Sequence, residues 1–149
     1  MTQPSTVEDC LIAHEGIRQF CYDDTLGYKT IGVGRNIDSR NGQGLSNDEI
    51  RYLLKNDIEK CREQLKDYKF YSIQDDVRKG ALIEMCFNLG KEGLMKFKCM
   101  LSALMVKNYR CAVIEARNSK WATEIGKERL DSIMHRMEFG NYEVKSGND

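Results

Sequence analysis

The chain has 149 residues, of which 41% are apolar and 31% charged, and its formal net charge at pH 7 is zero. This length and composition exclude a disordered or fibrous protein and predict one compact domain with its own core. No apolar run approaches the roughly 18 residues that a membrane span needs, so we expect no stable membrane insertion. The first nine residues contain neither a basic nor an apolar stretch, so no secretion signal is predicted.

Cysteine spacing and charge distribution limit the possible partners. The six cysteines have no C-x-x-C spacing, and we expect reduced thiols that act as small apolar core residues. No metal site is predicted, because no cysteine pair lies near a histidine at ligand spacing. Residues 91–136 contain ten Lys or Arg against five acids. That surplus would attract an anionic polymer or simply form solvated helix faces. Without an overall basic excess or a binding motif, nucleic acid is not an expected partner.

The first half of the chain predicts a short helix, a small sheet and a long helix. The capping pattern at 5–8 starts the first helix, and Gly16 ends it. Residues 17–37 are rich in strand formers and interrupted by glycines, which predicts two or three short antiparallel strands. Residues 39–44 are predicted to be loop. Ser46 and a glutamate three positions later then start a helix of about 20 residues.

The second half is predicted to be helical. Residues 81–89 are apolar on nearly every face, which indicates the buried central helix, and Gly90 is its predicted end. Further helices are predicted near residues 94–105, 109–117 and 126–139.

Three polar residues near the N-terminus could carry chemistry. Glu15 lies at the predicted end of the first helix, Asp24 follows nine positions later, and Thr30 follows after six more. The negative end of the helix dipole, together with any burial, would keep Glu15 protonated as a general acid. Asp24 would stay ionised in a solvated turn, and the Thr30 hydroxyl could hold a water. From the residues alone, Asp23 could take the place of Asp24, and Asp24 could serve only as a turn residue.

The sequence resembles the T4-type phage lysozymes, which are endolysins of glycoside hydrolase family 24. The similarity is carried by Glu-Gly-x-Arg at 15–18 and by Gly-Tyr-x-Thr-Ile-Gly-x-Gly at 27–34, and it extends to 45–65, 78–90 and 119–121. It implies an α+β, lysozyme-like, mostly helical fold forming a single domain over 1–149. The implied parts are a small sheet lobe at about 15–45, an interlobe helix at about 46–66, and a helical lobe at about 70–142 that also includes the N-terminal helix.

The resemblance also implies a function. A member of this family is a muramidase, which hydrolyses the β-1,4 bond between N-acetylmuramic acid and N-acetylglucosamine in peptidoglycan. It implies Glu15 as the acid, Asp24 on the base side, Thr30 as the water-positioning group, and inversion at the anomeric carbon. No metal or other cofactor is implied. The expected protein is a monomer in the host cytoplasm that reaches the wall after a holin has permeabilised the membrane, and that causes host lysis.

Further positions match the family less closely. Asn36 and Phe87 correspond to substrate-contacting positions, and Arg35 replaces a histidine of the best-known member. An arginine commonly pairs with the catalytic glutamate in this family, and here Arg129 is the first choice, with Arg136 as the alternative. Because the segment at 39–44 is too short for a helix found there in that member, we expect a smaller first lobe and a more open cleft.

Other function classes remain open from the sequence. A lytic transglycosylase would use a single glutamate and release a 1,6-anhydro sugar, and Asp24 and Thr30 argue against it. A wall-binding module or virion spike part could keep the fold without the activity, although the complete set of three residues argues against that class. A helical interaction protein would require the motif to be coincidental.

Overall fold

A computed structural model describes residues 3–142 of the chain. The chain consists of two compact units, and the boundary between Leu53 and Leu54 falls within one helix. The mostly helical architecture with one small antiparallel sheet confirms the predicted α+β class. The expected single domain and its lobe limits stay a prediction. Within residues 3–142, no helix has the length and apolar character that a membrane crossing requires.

The first unit contains a helix, a three-stranded sheet and the start of the long helix. These elements are α1 (Val7–Glu15), β1 (Arg18–Asp23), β2 (Lys29–Gly32), β3 (Arg35–Asn36) and the beginning of α2 (Asn47–Leu65). The strands are antiparallel and lie in the order β1-β2-β3. Within this unit, α1 groups with the sheet. It leads directly into β1 and buries none of its own residues.

Hydrogen bonds rather than an apolar core hold the first unit together. Among the described residues 3–53, only Thr30 and Asp38 are buried. The apolar core cluster begins at Cys61 and lies entirely in the second unit. Turns and loops in the first unit are therefore ordered by polar contacts, and losing one such contact cannot be offset by packing.

The long helix α2 begins as predicted. The Ser46 amide donates to Glu49 Oε1 at 2.9 Å, and the Glu49 amide donates to Ser46 Oγ at 3.2 Å. Arg35 Nη1 donates to the same Glu49 Oε1 at 2.9 Å, which ties β3 to the helix start. Hydrogen bonds from Arg35 and from the Ser46 amide lower the pKa of Glu49 to about 2.

The second unit is a helical bundle. It contains the end of α2 followed by α3 (Lys69–Ser72), α4 (Asp76–Met95), α5 (Lys98–Met105), α6 (Tyr109–Arg117), α7 (Lys120–Glu124) and α8 (Lys127–Phe139). The central helix α4 contributes Leu82 and Met85 to the core, and both are almost fully buried. Gly90, with φ of 75°, interrupts this helix where an end was predicted, and a short helical segment continues to Met95.

The cysteines only partly meet expectation. All six are free thiols, and Cys61 and Cys86 are buried. Cys21 and Cys99 are exposed, so the expectation that the cysteines fill the core is wrong for these two. Cys21 lies on β1, whose unit lacks an apolar core, and Cys99 lies in the first turn of α5.

Arg78 joins three helices of the second unit. Its Nε donates to the Met137 carbonyl at 2.7 Å, and its Nη2 donates to the Glu138 carbonyl at 2.6 Å. These carbonyls belong to the last turn of α8, where no partner within the helix is available. The guanidinium also lies 3.5 Å from the centroid of the Tyr109 ring on α6.

We expect Arg78→Ala to lower the free energy of unfolding by about 2–4 kcal/mol, because two charged, partly buried hydrogen bonds to carbonyls at the end of α8 are lost. Urea unfolding followed by circular dichroism measures this change. The matched control is Arg110→Ala on α6, whose exposed side chain predicts a change within about 0.5 kcal/mol. Equal losses in the two variants would contradict the role given to Arg78.

Candidate active site

Glu15 lies at the end of α1, and its carboxyl group lies against the turn between β2 and β3. The side chain is exposed. A Cβ atom placed on Gly34 would lie 2.8 Å from Glu15 Oε2, and Gly34 has φ of 64°. Only glycine both adopts this backbone conformation readily and leaves room for the carboxylate. The glycine pattern of the sequence therefore has a direct role in placing Glu15.

Asp24 organises the turn between β1 and β2. Its Oδ1 accepts hydrogen bonds from the amides of Leu26 and Tyr28, both at 2.9 Å. The Asp24 amide donates to the Tyr28 carbonyl at 2.9 Å, and the Gly27 amide donates to the Asp24 carbonyl at 3.0 Å. Within residues 3–142, Asp24 Oδ2 has no hydrogen-bond partner. One carboxylate oxygen thus fixes the side chain, and the other is available for chemistry.

The neighbouring Asp23 has a different environment. Its Oδ1 forms an ion pair with Lys29 Nζ at 2.7 Å across β1 and β2, and both side chains are largely exposed. Such surface pairs contribute little to stability. The two adjacent aspartates are therefore distinguished by their partners, although the sequence left either one open.

Thr30 lies on β2, between the turn that contains Asp24 and the turn that contains Gly34. It is buried, with 4% of its surface exposed, and its Oγ1 donates to the Tyr28 carbonyl at 3.0 Å. Its hydroxyl proton is engaged in this bond, so its oxygen can act toward a further partner only as an acceptor. β2 has four residues, which span about 10 Å at about 3.3 Å per residue. The Asp24 turn is at one end of this strand and the turn at Gly34 is at the other.

Asn36 and Arg35, the two other site residues expected in the first unit, both make contacts within it. Asn36 pairs with Thr30 in the sheet. Its Oδ1 accepts from the Asp38 amide at 2.9 Å, and its Nδ2 donates to Asn41 Oδ1 at 3.1 Å. Arg35 binds Glu49 and also donates to the Gly44 carbonyl at 3.1 Å. The role predicted for Asn36 in substrate binding stays a prediction.

The remaining predicted residues line a groove of about 410 Å³ in the second unit. Phe87, 47% exposed, lies there with Arg129, Arg136 and Glu84. Arg129 Nε donates to Glu84 Oε2 at 2.8 Å, and Arg136 Nη2 donates to Glu84 Oε1 at 2.5 Å. Glu84 was not predicted as a partner, although it is the single acid within the apolar run at 81–89. The pairing of either arginine with Glu15 stays a prediction.

Opposing effects act on the Glu84 carboxyl group. Burial raises its pKa, whereas hydrogen bonds from Arg129 and Arg136 lower it, and the net result is a pKa below the usual value. Glu84 is therefore ionised at neutral pH and holds both guanidinium groups in place. Within the described part of the chain, no three His, Cys, Asp or Glu side chains are grouped closely enough to hold a metal ion.

Comparison with known proteins identifies the family of this chain. The model of the phage lysozyme family matches residues 12–138. Two relatives are probable T4-type lysozymes 1 and 2 of Dictyostelium discoideum. They are 27% and 29% identical, and the alignments cover 78% and 91% of this chain and 85% and 95% of those proteins. The pre-baseplate central spike protein Gp5 of Enterobacteria phage T4 is 24% identical over 93% of this chain, which covers 28% of that longer protein.

The family match covers most of the chain, including Glu15, Asp24 and Thr30, and confirms the resemblance seen in the sequence. The lysozyme-like fold and the glycoside hydrolase activity predicted from that resemblance are likewise confirmed. The chain therefore belongs to the phage lysozyme family, whose members hydrolyse peptidoglycan.

Proposed function

We propose that this lysozyme cleaves the β-1,4 bond between N-acetylmuramic acid and N-acetylglucosamine with inversion, using Glu15 as general acid and Asp24 as general base. The observation that carries the proposal is that the two oxygens of the Asp24 carboxylate have different environments. Oδ1 is held by two backbone amides, and Oδ2 would accept the proton of the attacking water. Thr30, adjacent on β2, supplies an oxygen that accepts a hydrogen bond from the attacking water.

The reaction would proceed in one displacement. Glu15 gives its proton to the glycosidic oxygen as the bond to the anomeric carbon breaks. A water attacks that carbon from the opposite face, and Asp24 takes the water's proton. Each hydrolysis thus consumes one water, leaves both sugars with hydroxyl groups and moves one proton from Glu15 to Asp24. Exchange with solvent then restores both carboxyl groups.

The length of β2 is compatible with inversion. The two turns that carry Asp24 and contact Glu15 lie at opposite ends of a strand that spans about 10 Å. Inverting glycosidases separate their carboxyl groups by about 6.5–9.5 Å to make room for water, whereas retaining enzymes separate them by about 5–5.5 Å.

The cellular role is part of the same proposal. We infer that the protein is a monomeric endolysin that remains in the host cytoplasm until a holin opens the membrane, and then degrades the wall. The family membership supports this role. The relationship to a phage spike protein favours a second candidate, in which the same activity acts from the virion during entry.

Replacing the catalytic carboxyl groups provides the main test. We expect Glu15→Gln and Asp24→Asn each to reduce the hydrolysis rate by about 100- to 10,000-fold, since general acid–base catalysis has that magnitude. Lysis of permeabilised Gram-negative cells, followed by turbidity, measures the loss. Asp23→Asn is the matched control and should stay within about 2-fold, because the ion pair that Asp23 forms with Lys29 lies at the surface.

The products of the same assay separate the possible reactions. Mass spectrometry should show products that have gained one water, and NMR of the first product formed should show the α-anomer. A 1,6-anhydro sugar would identify a transglycosylase instead, and an initial β-anomer would identify retention. Lysis by Glu15→Gln at the parental rate would refute an enzymatic role for this residue.

A pair of glycine variants tests the placement of Glu15. Gly34→Ala puts a methyl group 2.8 Å from Glu15 Oε2, whereas Gly32→Ala, at a similar φ of 69°, meets nothing within 4 Å. We expect both to lose about 1–2 kcal/mol of stability from the backbone conformation. Only Gly34→Ala should lose activity, by about 10- to 100-fold, because the carboxylate is displaced. Steady-state rates and thermal unfolding measure the two effects, and equal activity in the two variants would contradict this placement.

The cellular role can be tested by expression in bacteria. We expect cytoplasmic expression alone to leave cells intact and expression with a holin to cause rapid lysis, because the substrate lies beyond the membrane. Culture turbidity records the outcome, and co-expression of Glu15→Gln with the holin is the control. Lysis without the holin would contradict the proposed route.

A further inference from the structure

We propose that the ion pair of Asp38 and Arg40 is a positioning device that holds the Asp24 turn and the Thr30 strand in their working geometry. This inference rests on the proposed function, in which Asp24 and Thr30 act on the substrate. Neither residue of the pair was singled out by the sequence motifs. Both lie in the segment that connects β3 to α2. Residues 37–44 of this segment are called the 37–44 loop below.

Asp38 anchors β2 one residue before Thr30. Its Oδ2 accepts a hydrogen bond from the Lys29 amide at 3.0 Å, and the Ile37 amide donates to the Lys29 carbonyl at 2.8 Å. Both the amide and the carbonyl of Lys29 are therefore bound to the 37–44 loop. The Asp38 side chain is only 5% exposed, so these contacts are shielded from competing water.

Arg40 binds both oxygens of the same Asp38 carboxylate. Its Nε donates to Asp38 Oδ1 and its Nη2 to Asp38 Oδ2, both at 2.8 Å. This two-point geometry is the strong form of an arginine–carboxylate pair. Hydrogen bonds from the Arg40 side chain and from the amides of Lys29 and Arg40 hold the pKa of Asp38 well below its usual range. The pair is therefore fully charged across the pH range in which a lysozyme would work.

Arg40 also reaches the turn that contains Asp24. Its Nη2 donates to the Gly27 carbonyl at 2.9 Å, and its guanidinium lies 4.9 Å from the centroid of the Tyr28 ring. Gly27 and Tyr28 are two of the three residues whose backbone amides bind Asp24: the Gly27 amide donates to its carbonyl, and the Tyr28 amide, like that of Leu26, donates to Oδ1. The Arg40 guanidinium thus binds the same turn that the Asp24 carboxylate stabilises.

The 37–44 loop is itself closed around Asp38. The Gly42 amide donates to the Asp38 carbonyl at 2.7 Å. A Cβ atom at Gly42 would lie 2.5 Å from Asn36 Oδ1 and 2.6 Å from the Asp38 amide nitrogen. This close approach, which only glycine permits, keeps Asp38 facing β2.

The absence of an apolar core gives the ion pair its influence. Thr30 and Asp38 are the only buried residues among those described at 3–53, so packing would not preserve the turn if Arg40 were removed. Arginine is required because its fork binds a carboxylate, a carbonyl and an aromatic face at once. A lysine could neutralise Asp38 but could not make all three contacts.

The test compares Arg40→Ala, Arg40→Lys and the parent on soluble peptidoglycan fragments. We expect Arg40→Ala to lower kcat by about 10- to 100-fold, because small displacements of a catalytic group have effects of this size. KM should stay within about 2-fold, and Arg40→Lys should give an intermediate kcat. The matched control is Arg117→Ala, which removes a surface ion pair with Asp131 in the second unit and should leave kcat unchanged.

A second readout does not depend on activity. Hydrogen exchange followed by NMR measures protection of the Leu26 and Tyr28 amides, which donate to Asp24 Oδ1. We expect both amides to exchange at least about 10-fold faster in Arg40→Ala, because the turn opens more often. A merely structural role for Arg40 would lower the unfolding temperature and leave kcat of the folded enzyme unchanged.

The outcomes separate this inference from the proposed function. An Arg40→Ala enzyme with parental kcat, or with a reduced kcat but parental protection of both amides, overturns the inference. If Arg40→Ala does not fold by circular dichroism, Arg40→Lys decides by the same two readouts. If Asp24→Asn keeps parental activity, the proposed function fails whatever the Arg40 variants show.

Discussion

The sheet of this lysozyme depends on one buried carboxylate in a unit without an apolar core. Asp38 accepts hydrogen bonds from the Lys29 amide on β2 and from Arg40, and Arg40 extends the connection to the Gly27 carbonyl. Most small domains hold their strands in register by burying alternate side chains. Here a polar network takes that part, and polar networks are directional, so they specify atomic positions more tightly than apolar contacts do.

Polar contacts likewise fix the residues that we propose for catalysis. Asp24 uses one oxygen to close its own turn, and Thr30 uses its hydroxyl proton to bind the Tyr28 carbonyl. Each therefore has a fixed orientation before substrate arrives, and each keeps lone pairs for the reaction. Such preorganisation lowers the cost of aligning groups in the transition state. The carboxyl of Glu15, by contrast, is positioned by the space above Gly34.

Local patterns predicted the parts of the fold that depend on neighbouring residues. The capping box of Ser46 and Glu49 and the apolar run at 81–89 both produced the expected helices. The first helix is capped by Thr6 rather than by Ser5, a shift of one residue between two equally suitable side chains. The short helix α3 was not predicted, because four residues carry too little periodicity to recognise.

The candidate site was predictable only where a motif spans it. Glu15, Asp24 and Thr30 are close in sequence, and the spacing of glycines between them indicates the turns. The binding of Arg129 and Arg136 to Glu84 joins residues 45 and 52 positions apart, and no local pattern reports such contacts. The fork of Arg40 depends on the path of the 37–44 loop, which is set by the space that Gly42 leaves.

The different exposure of its thiols allows opening of the helical unit to be measured in this protein. Cys61 and Cys86 are enclosed by the helical core, while Cys21 and Cys99 face solvent. An alkylating reagent would therefore modify the exposed pair at once, and would reach the enclosed pair only when the helical unit opens. The slow phase of labelling then reads the stability of that unit directly in the unmodified chain, without any introduced probe.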